Sequence, residues 1–118
     1  MRSLNVLVVD DDPSARDVLA KYLTADGHCA VTVGNGAQAV RTFQQQKFDL
    51  LMTDQGMPGM NGLQLARYVR QLRANQPIIL LTGFSFDVEN LPTEVDKVIP
   101  KPITPDRLRA ALSEVIRV

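Results

Sequence analysis

Cysteine, net charge and long apolar runs are all scarce in this chain of 118 residues. The single cysteine, Cys29, excludes an internal disulfide and a Cys-based zinc cluster, and it suits a reducing, cytoplasmic setting. A small buried hydrophobe is the simplest expectation for it. Thirteen Lys and Arg balance thirteen Asp and Glu, so no overall field draws the chain to nucleic acid or to an anionic membrane. Any charged partner must be recognised locally. The opening stretch MRSLNVLVVDDD has only a short apolar run before its aspartates, which is neither a signal peptide nor a membrane span. No internal repeat, linker or low-complexity segment breaks the chain, and its length suits one domain over 1–118, with one core and no output domain.

What is present is an alternation. Val6 to Val9, Cys29 to Val33, Leu50 to Thr53, Ile78 to Leu81 and Val98 to Ile99 are short apolar runs rich in β-branched residues. They read as five strands, and their near-continuous hydrophobicity is what a parallel sheet covered on both faces requires. Between them come residues at helical spacing: Val18, Leu19, Tyr22 and Leu23; Ala37, Val40 and Phe43; Leu63, Leu65, Ala66, Val69 and Leu72. A last helix carries Leu108, Ala111, Leu112, Val115 and Ile116. Asp12-Pro13 and Thr104-Pro105 each resemble an N-cap followed by proline at the first helical position, and Asp26-Gly27 suits a helix end. The pattern predicts an α/β fold: a five-stranded, parallel, doubly wound sheet in the flavodoxin-like order 2-1-3-4-5, with helices on both faces. The stretch GFSFDVENLPTEVDK, from Gly83 to Lys97, is weakly periodic and holds Pro92, so the fourth helix is expected to be short or irregular.

In such a sheet, ligands sit beyond the carboxyl ends of the strands. The polar residues gather there: Asp10, Asp11 and Asp12 after the first strand, Asp54 at the end of the third, Thr82 at the end of the fourth and Lys101 after the fifth. Crowded carboxylates resist ionisation unless a cation neutralises them, and hard oxygen ligands without nearby His or Cys favour magnesium. A divalent ion beside a carboxylate and a lysine is what phosphoryl transfer to an aspartate needs. Asp54 stands alone at its strand end and is the best nucleophile, whereas the adjacent Asp10 and Asp11 are suited to share a metal. Each residue taken singly also has a duller role: a turn and cap cluster at 10–12, a strand-end hydroxyl at Thr82, a solvated lysine before a proline turn. His28 falls outside this set and reads as structural, and Arg67, Arg70 and Arg73 read as a solvated helix face.

The segments VVDDD at 8–12, MTDQGMPGMNG at 52–62, LLTG at 80–83 and PKP at 100–102, each at a predicted strand end, together resemble the receiver domain of two-component response regulators. The resemblance covers essentially the whole chain, and the loop and turn sequences are most similar to receivers of hybrid histidine kinases. It implies that Asp54 accepts a phosphoryl group from a histidine kinase or histidine phosphotransfer protein. It further implies that Asp10, Asp11, Asp54 and the Gly56 carbonyl hold Mg2+, and that Thr82 and Lys101 bond the phosphoryl oxygens and move when it arrives. Lys101-Pro102 matches a peptide bond usually cis in the family. Such a domain is a switch rather than an enzyme acting on a separate substrate; it passes its state to a downstream protein that the sequence does not name, in some members through phosphorylation-dependent homodimers.

Two departures bear on output and lifetime. The position three before the lysine, aromatic in many receivers, is Val98, which has few rotamers and no ring to hide or show. Gly56 and Phe84, two residues after the acceptor and two after the threonine, have no polar side chain to position an attacking water, which predicts slow self-hydrolysis; Phe84→Glu would test this through the decay rate. Two other functions compete. One is a phosphatase of the haloacid-dehalogenase type, loosely resembled by Asp10 to Asp12 with Ser14, although Pro13 fills the slot before Ser14 and there is no room for a cap. The other is a receiver-like interaction module that is never phosphorylated.

Overall fold

The computed structural model describes residues 2–83 and 92–116. Five strands, β1 (Asn5–Val9), β2 (Cys29–Val33), β3 (Leu50–Asp54), β4 (Ile78–Thr82) and β5 (Lys97–Pro100), form one parallel sheet in the order β2-β1-β3-β4-β5. Among the described residues there are four helices: α1 (Pro13–Ala25), α2 (Gly36–Gln45), α3 (Gly62–Leu72) and α4 (Pro105–Val115). The expected order and the crossover pattern are therefore observed. Most of the segment expected to hold a short or irregular helix, with Phe84 in it, lies outside the described residues.

Side chains alternate across the pleat, and the sheet accordingly builds two cores. Val6, Val8, Leu50, Met52, Ile79 and Leu81 point to one face, where Leu19 and Leu23 of α1 and Leu108 and Leu112 of α4 cover them. Leu7, Val9, Leu51, Ile78 and Leu80 point to the other, against Ala39 and Phe43 of α2 and Leu65, Ala66 and Val69 of α3. Burial of each such side chain contributes about 1.5–3 kcal/mol, which is what holds the strand ends in fixed relation to one another.

The helix starts follow the expected chemistry. Asp12 Oδ1 accepts from Ser14 N at 3.0 Å and Thr104 Oγ1 from Arg107 N at 3.2 Å, each with proline in the first turn. Asp26 closes α1, and Gly27 takes a φ of 85°, the left-handed region in which a Cβ would be strained. His28 is structural as expected: it is buried, and its Nδ1 accepts from Leu4 N at 3.0 Å.

Two expectations need correction. Cys29 is exposed, not buried, because β2 is an edge strand with one neighbour and less of its surface is covered. The arginine row of α3 is also more than a solvated face. Arg67 Nη2 pairs with Glu94 at 3.2 Å; Arg70 donates to Gln76 O at 2.9 Å and to Asp96 at 2.8 Å; Arg73 donates to Gln76 Oε1 at 3.1 Å. The row ties α3 to the segments entering β4 and β5.

Candidate functional site

Asp10, Asp54, Thr82 and Lys101 end or follow four neighbouring strands, so the sheet itself brings them together. Asp10 extends the β1 ladder by one bond, its N–H donating to Val33 O at 3.2 Å, and its Oδ1 then turns the chain by accepting from Asp12 N at 2.9 Å. Its other oxygen, Oδ2, is buried with no hydrogen-bond partner among the described residues. With 1 % of its surface exposed, this carboxylate is held out of water with one oxygen unsatisfied, an arrangement that costs stability unless a cation is bound there.

Asp54 is the last residue of β3, paired in register with Leu81, and 6 % exposed. The helix that follows approaches closely: a Cβ on Gly62 would lie 2.5 Å from Asp54 O and 2.7 Å from Leu80 Cδ1, so only glycine lets α3 begin here. Gln55 secures that approach. Its main-chain carbonyl accepts from Gly62 N at 3.1 Å and its Oε1 from Leu63 N at 2.9 Å, while Asn61 and Gln64 form a capping box. The Gln55 contact escaped sequence reasoning, since nothing in a glutamine signals that it will cap a helix eight residues on. Gly56, next in the loop, has open space where a side chain would be.

Lys101 Nζ lies 3.0 Å from Asp54 Oδ1 and 3.6 Å from Asp10 Oδ2. Its main-chain N–H donates to Thr82 O at 2.8 Å, and the Lys101-Pro102 peptide is cis, as the sequence led us to expect. Thr82 is buried at the end of β4. One oxygen each from Asp10, Asp11 and Asp54 lies within 4.8 Å of the others. Three carboxylates thus face one ammonium. Burial pushes the Asp10 carboxyl above its ordinary range, and the charges of Asp54 and Asp11 add to the push, against the Asp12 N–H and Lys101. Burial alone would lower the Lys101 ammonium, but its bond to Asp54 and the charges of Asp10 and Asp54 outweigh that and hold it above its usual value. The set is all hard oxygen with a buried orphan among them, and it fits a magnesium ion well.

Beside the acids, an open groove of about 570 Å³ runs between α1 and the Lys101–Ile103 turn, floored by apolar residues such as Val18, Leu19, Leu81 and Ile103. Val18, one of these lining residues, is 43 % exposed.

A family model, the response regulator receiver domain, matches residues 6–113. The chain belongs to that family. This receiver domain is 33% identical to the DNA-binding response regulator MtrA of Mycolicibacterium smegmatis over 95% of its own length and 50% of MtrA's. It is also 35% identical to the putative two-component response regulator ARR21 of Arabidopsis thaliana, covering 89% of the chain and 18% of ARR21. It thus spans half of one curated relative and less than a fifth of the other. Among solved structures it resembles the chemotaxis protein CheY4 of Vibrio cholerae, with a TM-score of 0.89 and 27% identity over 98% of this chain and all of that one. It resembles the response regulator TrrA of Thermotoga maritima, solved in complex with Mg2+-BeF, with a TM-score of 0.86 and 32% identity over 95% and 98% of the two chains. TrrA has also been solved in complex with the histidine kinase ThkA. The receiver is therefore a regulatory domain of two-component signal transduction. Among its described residues, no helix is long and apolar enough to cross a membrane.

Proposed function

We propose that Asp54 is the phosphoacceptor of this receiver and that Asp10, Asp11, Asp54 and the Gly56 carbonyl hold the Mg2+ on which its phosphorylation depends. The observation that carries the reading is the buried Asp10 Oδ2, which has no hydrogen-bond partner among the described residues and meets Lys101 Nζ at 3.6 Å, on a carboxylate that clusters with those of Asp11 and Asp54. The chemistry asked of the chain is modest. An Asp54 oxygen attacks the phosphorus of a phosphohistidine; the P–N bond breaks and its electron pair leaves with the imidazole, while an acyl phosphate forms. When bound, magnesium supplies compensation for the negative charge on the phosphoryl oxygens. Lys101 shifts from the Asp54 carboxylate to a phosphoryl oxygen, and the Thr82 hydroxyl donates to another. This movement of Thr82 and Lys101 is the proposed switch, with Val98, part-buried against the α2–α3 core, in place of an aromatic ring.

The donor is a histidine kinase or phosphotransfer protein, and the apolar groove beside α1 suits a helix of such a partner, whose histidine would then lie over Asp54. Gly56 offers no side chain to hold an attacking water, so the acyl phosphate should decay slowly. Incubation with magnesium and acetyl phosphate tests the reading: a mass increase of one phosphoryl group is expected, and Asp54→Asn should abolish it. Labelling on Asp10, or turnover of phosphate esters, would instead favour a haloacid-dehalogenase-like phosphatase. No labelling at all would favour a silent interaction module.

A further inference from the structure

We infer that Arg16 and Gly34 are a matched pair that fixes the peptide joining Asp10 to Asp11, which makes Arg16 a positioning residue for the divalent-cation site. The inference rests on the proposal that these two aspartates hold that cation. Arg16 sits in the first turn of α1 and reaches back over it, its Nη1 donating to Asp10 O at 2.9 Å. That carbonyl belongs to the Asp10–Asp11 peptide. On the other side of Asp10, the N–H donates to Val33 O at 3.2 Å, and the side chain is turned by the Asp12 N–H at 2.9 Å. Main chain and one carboxylate oxygen are thus held at three points, and what remains is Oδ2, without a hydrogen-bond partner among the described residues, on a carboxylate that clusters with those of Asp11 and Asp54. Asp11 is exposed, and the pinned peptide sets the direction in which it leaves.

Gly34 makes room for the guanidinium. A Cβ built there would stand 2.8 Å from Arg16 Nη1 and 3.7 Å from its Cζ. The φ of Gly34 lies outside the left-handed region, so the position requires glycine for space and not for backbone freedom. The turn cannot easily retreat. Gly34 N donates to Gln38 Oε1 at 3.0 Å while Gln38 N donates to Asn35 Oδ1 at 2.8 Å, which ties the turn to α2. A methyl group at 34 would therefore displace the flexible arginine and leave the fold intact.

Charge and position predict opposite signs. A guanidinium close to the acids opposes a divalent cation, so if it acted through charge alone its removal would tighten binding. If it orients the ligands, its removal weakens binding; outer partners of metal ligands typically carry about 10–100-fold in affinity. The test is calorimetric titration of the whole chain with magnesium chloride, for the native protein and for Arg16→Gln, Arg16→Lys and Gly34→Ala, each checked for fold by circular dichroism. We expect the dissociation constant to rise about tenfold in Arg16→Gln and Gly34→Ala and to recover in part in Arg16→Lys. The rate of acetyl phosphate labelling at saturating magnesium should stay near native. Should Arg16→Gln fail to fold, Gly34→Ala decides alone, since it adds one methyl and leaves every charge in place. Variants that bind magnesium as tightly as the native chain, or more tightly, overturn the inference and leave the cation site standing. A native chain that takes up no magnesium overturns both.

Discussion

The two ends of the sheet treat their carboxylates in opposite ways. At the amino end, Asp49 accepts from Asn5 N at 2.8 Å and pairs with Arg2 at 3.0 Å, and Asp26 meets Arg109 through two bonds of 2.8 and 3.3 Å. The bond to Arg109 holds the Asp26 carboxyl below its ordinary range; burial pushes Asp49 up, but the Asn5 N–H and Arg2 pull it lower. At the carboxyl end, Asp10 is buried with an orphaned oxygen and is pushed up. The amino end is finished; the carboxyl end is left short of positive charge, a deficit that the proposed cation would make good. An acidic cluster is a reactive site when its own chain leaves it short of positive charge, and a staple when the chain supplies enough.

The contrast can be broken in several places. Lys101→Met removes the cation that faces the three acids and should destabilise the metal-free protein by about 2 kcal/mol, less than for a fully buried pair because the ammonium is partly solvated. A urea unfolding midpoint that does not fall would mean the site is not short of positive charge. Asp10→Asn should act in the other direction, raising metal-free stability by about 1.5 kcal/mol because the buried charge disappears. Thermal denaturation with and without magnesium would check it, and magnesium should stabilise the native chain more than the variant. Asp49→Ala should cost about 1 kcal/mol at neutral pH by freeing the Asn5 N–H. Arg109→Ala should change the midpoint least, since its partner is solvated, and the small change should fade with added salt.

The two ends also predict a pH profile whose limbs have different owners. Asp10 binds its proton more tightly folded than unfolded, so metal-free stability falls as pH rises from the ordinary value of 3.8 to the higher folded one. Asp49 and Asp26 hold theirs less tightly, so their contribution is present above 3.8 and is lost as pH falls through their lower folded values. Asp10→Asn should flatten the upper limb alone, and Asp49→Asn the lower. Unfolding free energies across acidic pH would show whether the limbs separate in this way.

The gathering of the candidate site residues was legible in the sequence because they interrupt apolar runs. Asp54, Thr82 and Lys101 each stand where a short, mostly apolar segment stops, and a parallel sheet sends all such stops to one edge. The caps at Asp12 and Thr104 were legible for a similar reason, as the signal lies within two or three adjacent residues. What escaped notice depends on partners far apart in the chain. Arg70 and Asp96 are 26 residues apart, and helical spacing gives the face on which an arginine lies but not what it meets there. Arg16 and Gly34 gave no sign of each other. Cys29 was misjudged because its hydrophobic run resembled the others, whereas burial of an edge strand depends on its neighbours and not on its own residues.

That exposed thiol has a practical side. It is the chain's only cysteine and begins β2, an edge strand, at the end of the sheet opposite the acids. A fluorophore or spin label attached there would be a unique reporter that touches none of the groups proposed to handle magnesium or phosphate. Partner binding and activation could then be followed in real time without altering the chemistry being watched.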